Sequence, residues 1–393
     1  MTKIINKAYK FSLNPKDESI DFLNQCFGHT RFVFNYFLNY RSESYKNHQL
    51  KVNYQDTSKL LTQLKKQEDY QWLKDIPSIP LQQKLRHLDT AFKNFFKKQA
   101  KYPRLKKRES RQSASFLTSG NTYVGDGYVV ISQHKKQFKI PFIKHRNFDF
   151  TKVKSFNISK ESNGKYFISC SIEEEIKPIS KPKNVIKAVD LGLKDYLIDD
   201  ENNKTLPLKA LNNNLKTLRK LNQSLSRKKK NSNNFKKAKI KLSTLHCLIA
   251  NQRKDFLHKL SSKLINENQV ICLETLKVKN MIKNKRLSRH VADASWGMFV
   301  DFLTYKAQWH ERDIVKIDTY FPSSKLCNKC KTKNEDLKLS DRKWICKICH
   351  TIHDRDHNAA INIKEESLNM IATDNDFKEI IDDEGLLNIE KSQ

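Results

Sequence analysis

No stretch of this sequence approaches the roughly 18 uninterrupted apolar residues that a bilayer-crossing helix needs, so a membrane-spanning design is excluded. The opening residues, MTKIINKAYKFSL, carry no apolar signal-peptide core, and the expected compartment is the cytoplasm. Negative charge is also scarce. Asp and Glu number 43 against 75 Lys and Arg, a formal net charge of +32 with a pI of about 9.7. Such an excess points to a polyanionic partner, and nucleic acid fits better than a membrane surface or an acidic protein. With 393 residues the chain can bury more than one core, and two or more domains are expected.

Cysteine is used in two ways. Cys26, Cys170, Cys247 and Cys272 sit singly in apolar contexts and read as small core residues. Cys327, Cys330, Cys346 and Cys349 form two Cys-x2-Cys pairs separated by fifteen residues. Where thiols stay reduced, that spacing places four thiolates around one Zn²⁺ on two knuckles, the closed tetrahedral site of a structural ribbon. Glycine usually follows the second Cys of a knuckle, where the backbone turns left-handed; here Lys331 and His350 stand in those places. His350 and His353 are alternative ligands, although four Cys complete a site without them.

Two apolar, strand-like runs each end in a carboxylate. Residues 185–189 lead into Asp190 and residues 270–273 into Glu274. A further acid opens a helical run just beyond the second knuckle, in His353-Asp354-Arg355-Asp356. An Asp there has an ordinary explanation as a cap for free backbone N–H groups. Three acids at element ends, far apart in sequence, suggest instead a divalent-metal site. Two Mg²⁺ ions about 4 Å apart, held by carboxylates, activate a water and stabilise the leaving oxygen in phosphodiester hydrolysis. The order strand-Asp, strand-Glu, Asp-helix is that of an RNase H-like nuclease core.

At this point the chain resembles a known family. VDLGLKDY at 189–196, the basic segment 225–261, LETLKVKNM at 273–281, DASWGMF at 293–299, FPSSKLCNKC at 321–330 and DRDHNAAINI at 354–363 are similar to the TnpB family, insertion-sequence-encoded relatives of the miniature type V CRISPR effectors. The resemblance covers most of the chain. It implies an RNA-guided DNA endonuclease with one RuvC-type site, in which Asp190, Glu274 and Asp356 are the catalytic, Mg²⁺-holding acids. Asp354 is a weaker claimant, and Asp318, on the last strand, reads as structural. The resemblance further implies a guide RNA from the transposon 3′ end, a double-stranded DNA target beside a short flanking motif, one protein per RNA and residence on the nucleoid when on DNA.

The expected fold is multidomain, mixing α+β and α/β parts. A β-barrel wedge takes residues 1–13 and 110–182, with Asn163-Gly164 as a hairpin turn. Between its two parts lies a helical recognition lobe, 14–109, whose periodic Phe and Leu residues, Phe92, Phe95 and Phe96 among them, read as core. A linker around Pro178–Pro182 leads to the RuvC-like core, 183–326 and 351–366, with the zinc ribbon inserted at 327–350. Leu208, Leu211, Leu215, Leu218, Leu221 and Leu225 give one long helical stripe, and 238–264 gives another. Trp296 and Trp309 read as core, 277–290 as a lid, and 367–393 as an acidic, disordered tail.

Basic residues concentrate at Arg104, Lys106, Lys107, Arg108 and Arg111, with Tyr102 and Phe116 offering stacking, and again at Arg227, Lys228, Lys229, Lys230, Lys236 and Lys237. Both sets read as phosphate contacts, the first in a linker and the second on a helical hairpin, against the ordinary alternative of solvated loops. Two other functions share these features. An RNase H-fold transposase needs the same acids, and an inactive RNA- or DNA-binding regulator needs only the basic surface.

Overall fold

The structure is a computed structural model that describes residues 3–109, 111–134, 136–176, 182, 184–338 and 340–373. It divides into two compact units, one made of Ile4–Glu174 with Lys230–Thr244 and the other of the remaining chain. Among the described residues no helix is long and apolar enough to cross a membrane.

The first unit opens with β1 (Lys3–Leu13), whose Tyr9, Phe11 and Leu13 are buried at alternate positions, as a strand with one wet face requires. Three helices follow: α1 (Asp17–His48), α2 (Tyr54–Leu64) and α3 (Ser78–Phe96). Asn53 and Asp56 form a reciprocal capping box at the start of α2. Six further strands complete the unit: β2 (Gln112–Leu117), β3 (Tyr123–Gly125), β4 (Tyr128–Gln133), β5 (Lys136–Ile143), β6 (Val153–Lys160) and β7 (Tyr166–Ile176). They join β1 in a seven-stranded sheet ordered β2-β6-β7-β1-β5-β4-β3.

That order forces closure. β2 and β3 are opposite edges, yet they are consecutive in sequence and only residues 118–122 link them. Such a link reaches no more than about 22 Å. Flat, the same sheet holds its edges about 29 Å apart. The sheet therefore curls into a nearly closed barrel. Barrel and helices share one hydrophobic core, in which Phe22 of α1 stacks on Phe138 of β5 with ring centroids 4.0 Å apart.

The second unit contains β8 (Asn184–Asp190), β9 (Leu197–Asp199), β10 (Lys204–Thr205), α4 (Ala210–Asn213), α5 (Leu215–Ser226), most of α6 (Asn233–Glu267), β11 (Asn268–Glu274), α7 (Val278–Met281), α8 (Ser288–Ala294), α9 (Trp296–His310), β12 (Asp313–Ile317), β13 (Lys343–Ile345), β14 (Ile352–Asp354) and α10 (Arg355–Thr373). Its main sheet has the order β10-β9-β8-β11-β12. β8, β11 and β12 run parallel, and β9 and β10 return antiparallel. This is the RNase H-like arrangement. Val189, Leu197 and Leu273 pack with Leu257 and Leu264 of α6 and Phe299 and Leu303 of α9. Ala188, Cys272 and Val315 pack instead with Ile363 and Ile371 of α10.

Several expectations need correction. Phe116 does not stack on nucleic acid: it is 1% exposed and lies flat on Phe156, because the basic linker turns into β2 earlier than its charge suggests. Phe96 is 72% exposed, since it ends α3 beyond the last turn that the bundle covers. The leucine stripe is interrupted at Asn214 between α4 and α5, and of its members only Leu218 is buried. Cys247 and Trp309 are half-buried, unlike Cys26, Cys170, Cys272 and Trp296. α10 continues to Thr373 with Ser367 and Ile371 buried, so 367–373 packs with the second unit's sheet. Residues 374–393 of the expected tail, and all of the expected linker except Pro182, lie outside the described residues.

Phe116→Ala is expected to destabilise the protein by about 3–5 kcal/mol, as a buried Phe truncation does. Denaturant unfolding measures this; a stacking role would leave stability intact and weaken RNA affinity instead.

Candidate metal and nucleic-acid sites

Strand register brings the first two acids together. Leu273 pairs with Val189 across β11 and β8, which puts Glu274 and Asp190 side by side at the carboxyl ends of neighbouring parallel strands. Period-two alternation then decides the face. Asp190 shares a face with Ala188, and Glu274 with Cys272, and that face is the one α10 covers. The third acid, Asp356, lies in the first turn of α10. The two acids of the DRD tripeptide separate cleanly: Asp354 caps the helix, accepting from the Asp356 and His357 amides at 3.1 and 3.3 Å, with Lys204 at 3.2 Å. Partial burial raises its pKa, but those amides and Lys204 outweigh this and hold it below the ordinary carboxylate range. Asp318 accepts from the Tyr320 amide at 2.7 Å in a local turn after β12.

The three converging carboxylates repel. Burial pushes Asp190 well above the ordinary range, and the adjacent Glu274, hydrogen-bonded to it, and Asp356 push it further; Arg355 pulls the other way. Glu274 is also raised, chiefly by burial, against the pull of its bond to Asp190 and of Arg355. Arg342, from the ribbon, places Nη1 3.0 Å from Asp356 Oδ2. Half-buried Asp190 and Glu274, both with raised proton affinity, with Asp356 near them and guanidinium groups in balance, are chemically suited to hold a hard divalent cation.

The four ribbon cysteines have sulfurs all within 4.8 Å of one another. Cys327 and Cys349 are 3.6 Å apart, and Cys330 and Cys346 are 3.4 Å apart. A tetrahedron with Zn–S bonds of about 2.3 Å has sulfurs about 3.8 Å apart, so the set fits such an ion. The knuckles are near copies. Lys331 N donates to Cys327 O and His350 N to Cys346 O, both at 3.0 Å, and Cys327 N and Cys346 N donate to Thr332 O and Thr351 O at 2.9 and 3.0 Å. Lys331 and His350 take the left-handed φ of 59° and 58° that glycine usually supplies. Hydrogen bonding from Thr332 lowers the Cys330 pKa to about 6, whereas burial pushes Cys327 up to about 11. His353 is buried against Trp344, with Nε2 3.1 Å from Cys327 Sγ.

The basic residues divide. Arg108 and Lys236 line one open cleft of about 1350 Å³ in the first unit, with Arg31, Lys160 and Lys239. Lys106 and Arg111 line an adjoining cleft of about 710 Å³, with Arg31, Lys84 and His87. Arg104, Lys107, Arg227, Lys228, Lys229, Lys230 and Lys237 line neither. The segment expected as a lid, 277–290, holds α7 and the start of α8; beyond it on α8, Asp293 accepts from Arg253 at 3.1 Å and from the Leu211 amide at 3.0 Å.

Sequence reasoning missed Arg342, which carries no local signal, and Asn358 and Asn362, which do. Two Asn four apart in Asn-Ala-Ala-Ile-Asn share one helix face among apolar neighbours. Both are 1% exposed and bond the backbone just before the first knuckle.

Three family profiles match: "Helix-turn-helix domain" over residues 1–49, "Probable transposase" over 167–285 and "Cas12f1-like, TNB domain" over 296–363. Residues 3–48 here form β1 and the single helix α1. A Streptomyces pristinaespiralis protein named "Putative RNA-guided DNA endonuclease" is 37% identical over 92% of this chain and 90% of its own. The chain belongs to the TnpB family. "Putative RNA-guided DNA endonuclease InsQ" of Escherichia coli is 30% identical over 91% of each chain. The mimivirus "TnpB-like protein L79" is 30% identical over 48% of this chain and 38% of its own. Among solved structures, Cas12f1 in complex with sgRNA and target DNA gives a TM-score of 0.59 at 12% identity, covering 92% of this chain and 99% of that one. The mini-RNA-guided endonuclease Cas-phi3 gives 0.50 at 9%, covering 92% of both. These likenesses are of fold.

The raised proton affinity of Asp190 has a sign that thermal melting can test. Folding raises its pKa, so the folded chain binds this proton more tightly than the unfolded chain. Ionising Asp190 therefore costs stability as pH rises from the ordinary carboxylate range, near about 4, through the higher folded value. Metal-free Asp190→Asn is expected to melt higher than wild type at neutral pH, and the gain disappears on acidification. Equal melting at neutral pH contradicts a confined carboxylate.

Proposed function

We propose that this protein is a transposon-encoded RNA-guided endonuclease that hydrolyses double-stranded DNA beside a short flanking motif, at one RuvC-like, Mg²⁺-dependent site. The observation that carries the reading is the strand register that sets Asp190 beside Glu274 at neighbouring strand ends, with Asp356 of α10 near enough to push the Asp190 carboxyl up. The names of the relatives and the 37% identity over nearly the whole chain support it.

Asp190, Glu274 and Asp356 would together hold Mg²⁺, a grouping supported by the upward push that both other acids exert on Asp190. Those ions supply an activated water and stabilise the leaving oxygen. Arg342 and Arg355 bring positive charge to the same spot, suited to the non-bridging oxygens of a phosphodiester. Cys327, Cys330, Cys346 and Cys349 hold a structural Zn²⁺. Guide RNA pairing reads the target, and the helical lobe and barrel wedge read the flanking motif. Arg108, Arg111, Lys106 and Lys236 contact phosphates in the two basic clefts, while Arg104, Lys107, Lys237 and residues 227–230 are further phosphate contacts outside them. One site serves both strands in succession, with 277–290 acting as its lid.

The profile described as "Probable transposase" favours a second reading, joining of DNA ends by the same acids. Detection of strand-transfer products would establish it.

Protein co-purified with RNA from its own 3′ region, given Mg²⁺ and a plasmid library with randomised flanks, is expected to cut beside one enriched motif. Asp190→Ala abolishes cutting and leaves RNA binding intact; residual cutting by that variant refutes the acid assignment. Elemental analysis is expected to find one zinc per chain, and full zinc in Cys346→Ala contradicts the four-thiolate site.

A further inference from the structure

The first turn of α10 is tied to the ribbon at several points. Asn358 Nδ2 donates to Leu326 O at 2.8 Å and its Oδ1 accepts from Asn328 N at 3.1 Å. Asn362 Nδ2 donates to Leu326 O at 2.6 Å and to Ser323 O at 2.8 Å. Arg355 N donates to Arg342 O at 2.8 Å, and Arg342 in turn grips the Asp356 carboxylate. Leu326 and Asn328 flank Cys327, so the Asn amides bond the backbone whose position the first knuckle sets.

The sheet holds the same helix elsewhere. Ile363 and Ile371 pack on it, Lys364 pairs with Asp200 at 2.7 Å, and His357 Nε2 lies 3.1 Å from Asp200 O. Those contacts fix the body of α10 and, through His357, one side of its first turn, while the ribbon holds the turn's other contacts, Arg355 N on Arg342 O and the Asp356 carboxylate on Arg342. The ribbon itself has little to hold it. Its apolar core is Leu337 and Trp344 around the cysteines, too small to keep four like-charged thiolates at 3.4–3.6 Å without a cation among them.

We infer that Asn358 and Asn362 are positioning residues through which zinc occupancy of the ribbon sets the divalent-metal affinity of the acid site. With zinc bound, the first knuckle presents the Leu326 and Ser323 carbonyls to the two Asn amides, and Asp356 faces Asp190 and Glu274. Without zinc the knuckle opens, the carbonyls leave the amides, and Asp356 loses its fixed place. The acid site then retains Asp190 and Glu274 and binds its ion weakly. This inference rests on the reading of the three acids as a metal site.

The test uses the full chain with its guide RNA and Mn²⁺ in place of Mg²⁺, with bound Mn²⁺ followed by electron paramagnetic resonance. Removing zinc with a chelator is expected to raise half-saturation by Mn²⁺ at least about tenfold, the scale for losing the groups that orient a ligand, and returning zinc restores it. A variant carrying Asn358→Leu and Asn362→Leu is expected to retain one zinc per chain and show the same shift, with cleavage recovered as Mn²⁺ is raised. Unchanged Mn²⁺ affinity in zinc-stripped wild type overturns the inference, whether or not the variant folds. A shift on stripping but none in the zinc-loaded variant overturns the role of the two asparagines. If zinc-loaded wild type shows no Mn²⁺ signal that Asp190→Ala removes, the metal reading of the acids fails, an outcome distinct from either of the others.

Discussion

Repulsion among three carboxylates is the constraint around which the second unit is arranged. Left to themselves, Asp190, Glu274 and Asp356 would move apart or take up protons. They cannot move apart, because two of them end neighbouring strands in fixed register and the third rides on a helix packed over that face. The apolar residues that alternate with the acids make this possible. Val189 and Leu273 anchor the other face against α6 and α9, so neither strand can rotate its acid away without exposing a core residue. On the proposed reading of these acids, that strain is what a bound cation would relieve.

The ribbon solves a different problem with little material. Lys331 and His350 carry β-carbons in left-handed backbone, at a cost of roughly 1–2 kcal/mol each. Structural zinc sites in small peptides contribute about 10–16 kcal/mol of apparent binding free energy, far more than that cost. The departure from glycine is therefore tolerable wherever the metal is bound, and the matching hydrogen bonds of the two knuckles show the turn geometry intact.

Much of this was legible in the sequence, for identifiable reasons. A strand within the expected 1–13 segment was legible because its buried residues alternate and Asn14-Pro15 follows it. The acids were legible because each closes an apolar run or opens a helix, and the ribbon because thiolate spacing is a geometric signal. What failed to show were relations between distant segments. Nothing near Phe116 says that it pairs with β6, and charge around it suggests a loop. Arg342 is one of many basic residues, and only the fold reveals which acid it meets. The leucine stripe from 208 to 225 had the right period, but period does not report how much of a helix is covered. The shared core of helices and barrel was likewise invisible, since periodicity describes each element and not its partner.

The barrel's strand order bears on how the chain is made. β1 leaves the ribosome before the other six strands of its sheet, yet it lies in the interior of that sheet between β5 and β7. Its second partner ends at Ile176, so β1 waits while more than 160 residues are added. At bacterial elongation rates of up to about 20 residues per second, that is on the order of ten seconds. Until β5 is made β1 presents both hydrogen-bonding edges, and until β7 follows it still presents one, along with a row of aromatic and aliphatic side chains that α1 is the earliest neighbour able to cover. The barrel closes late and from its oldest strand outward, so the cell meets this protein first as a nascent chain with an unpaired strand to shield.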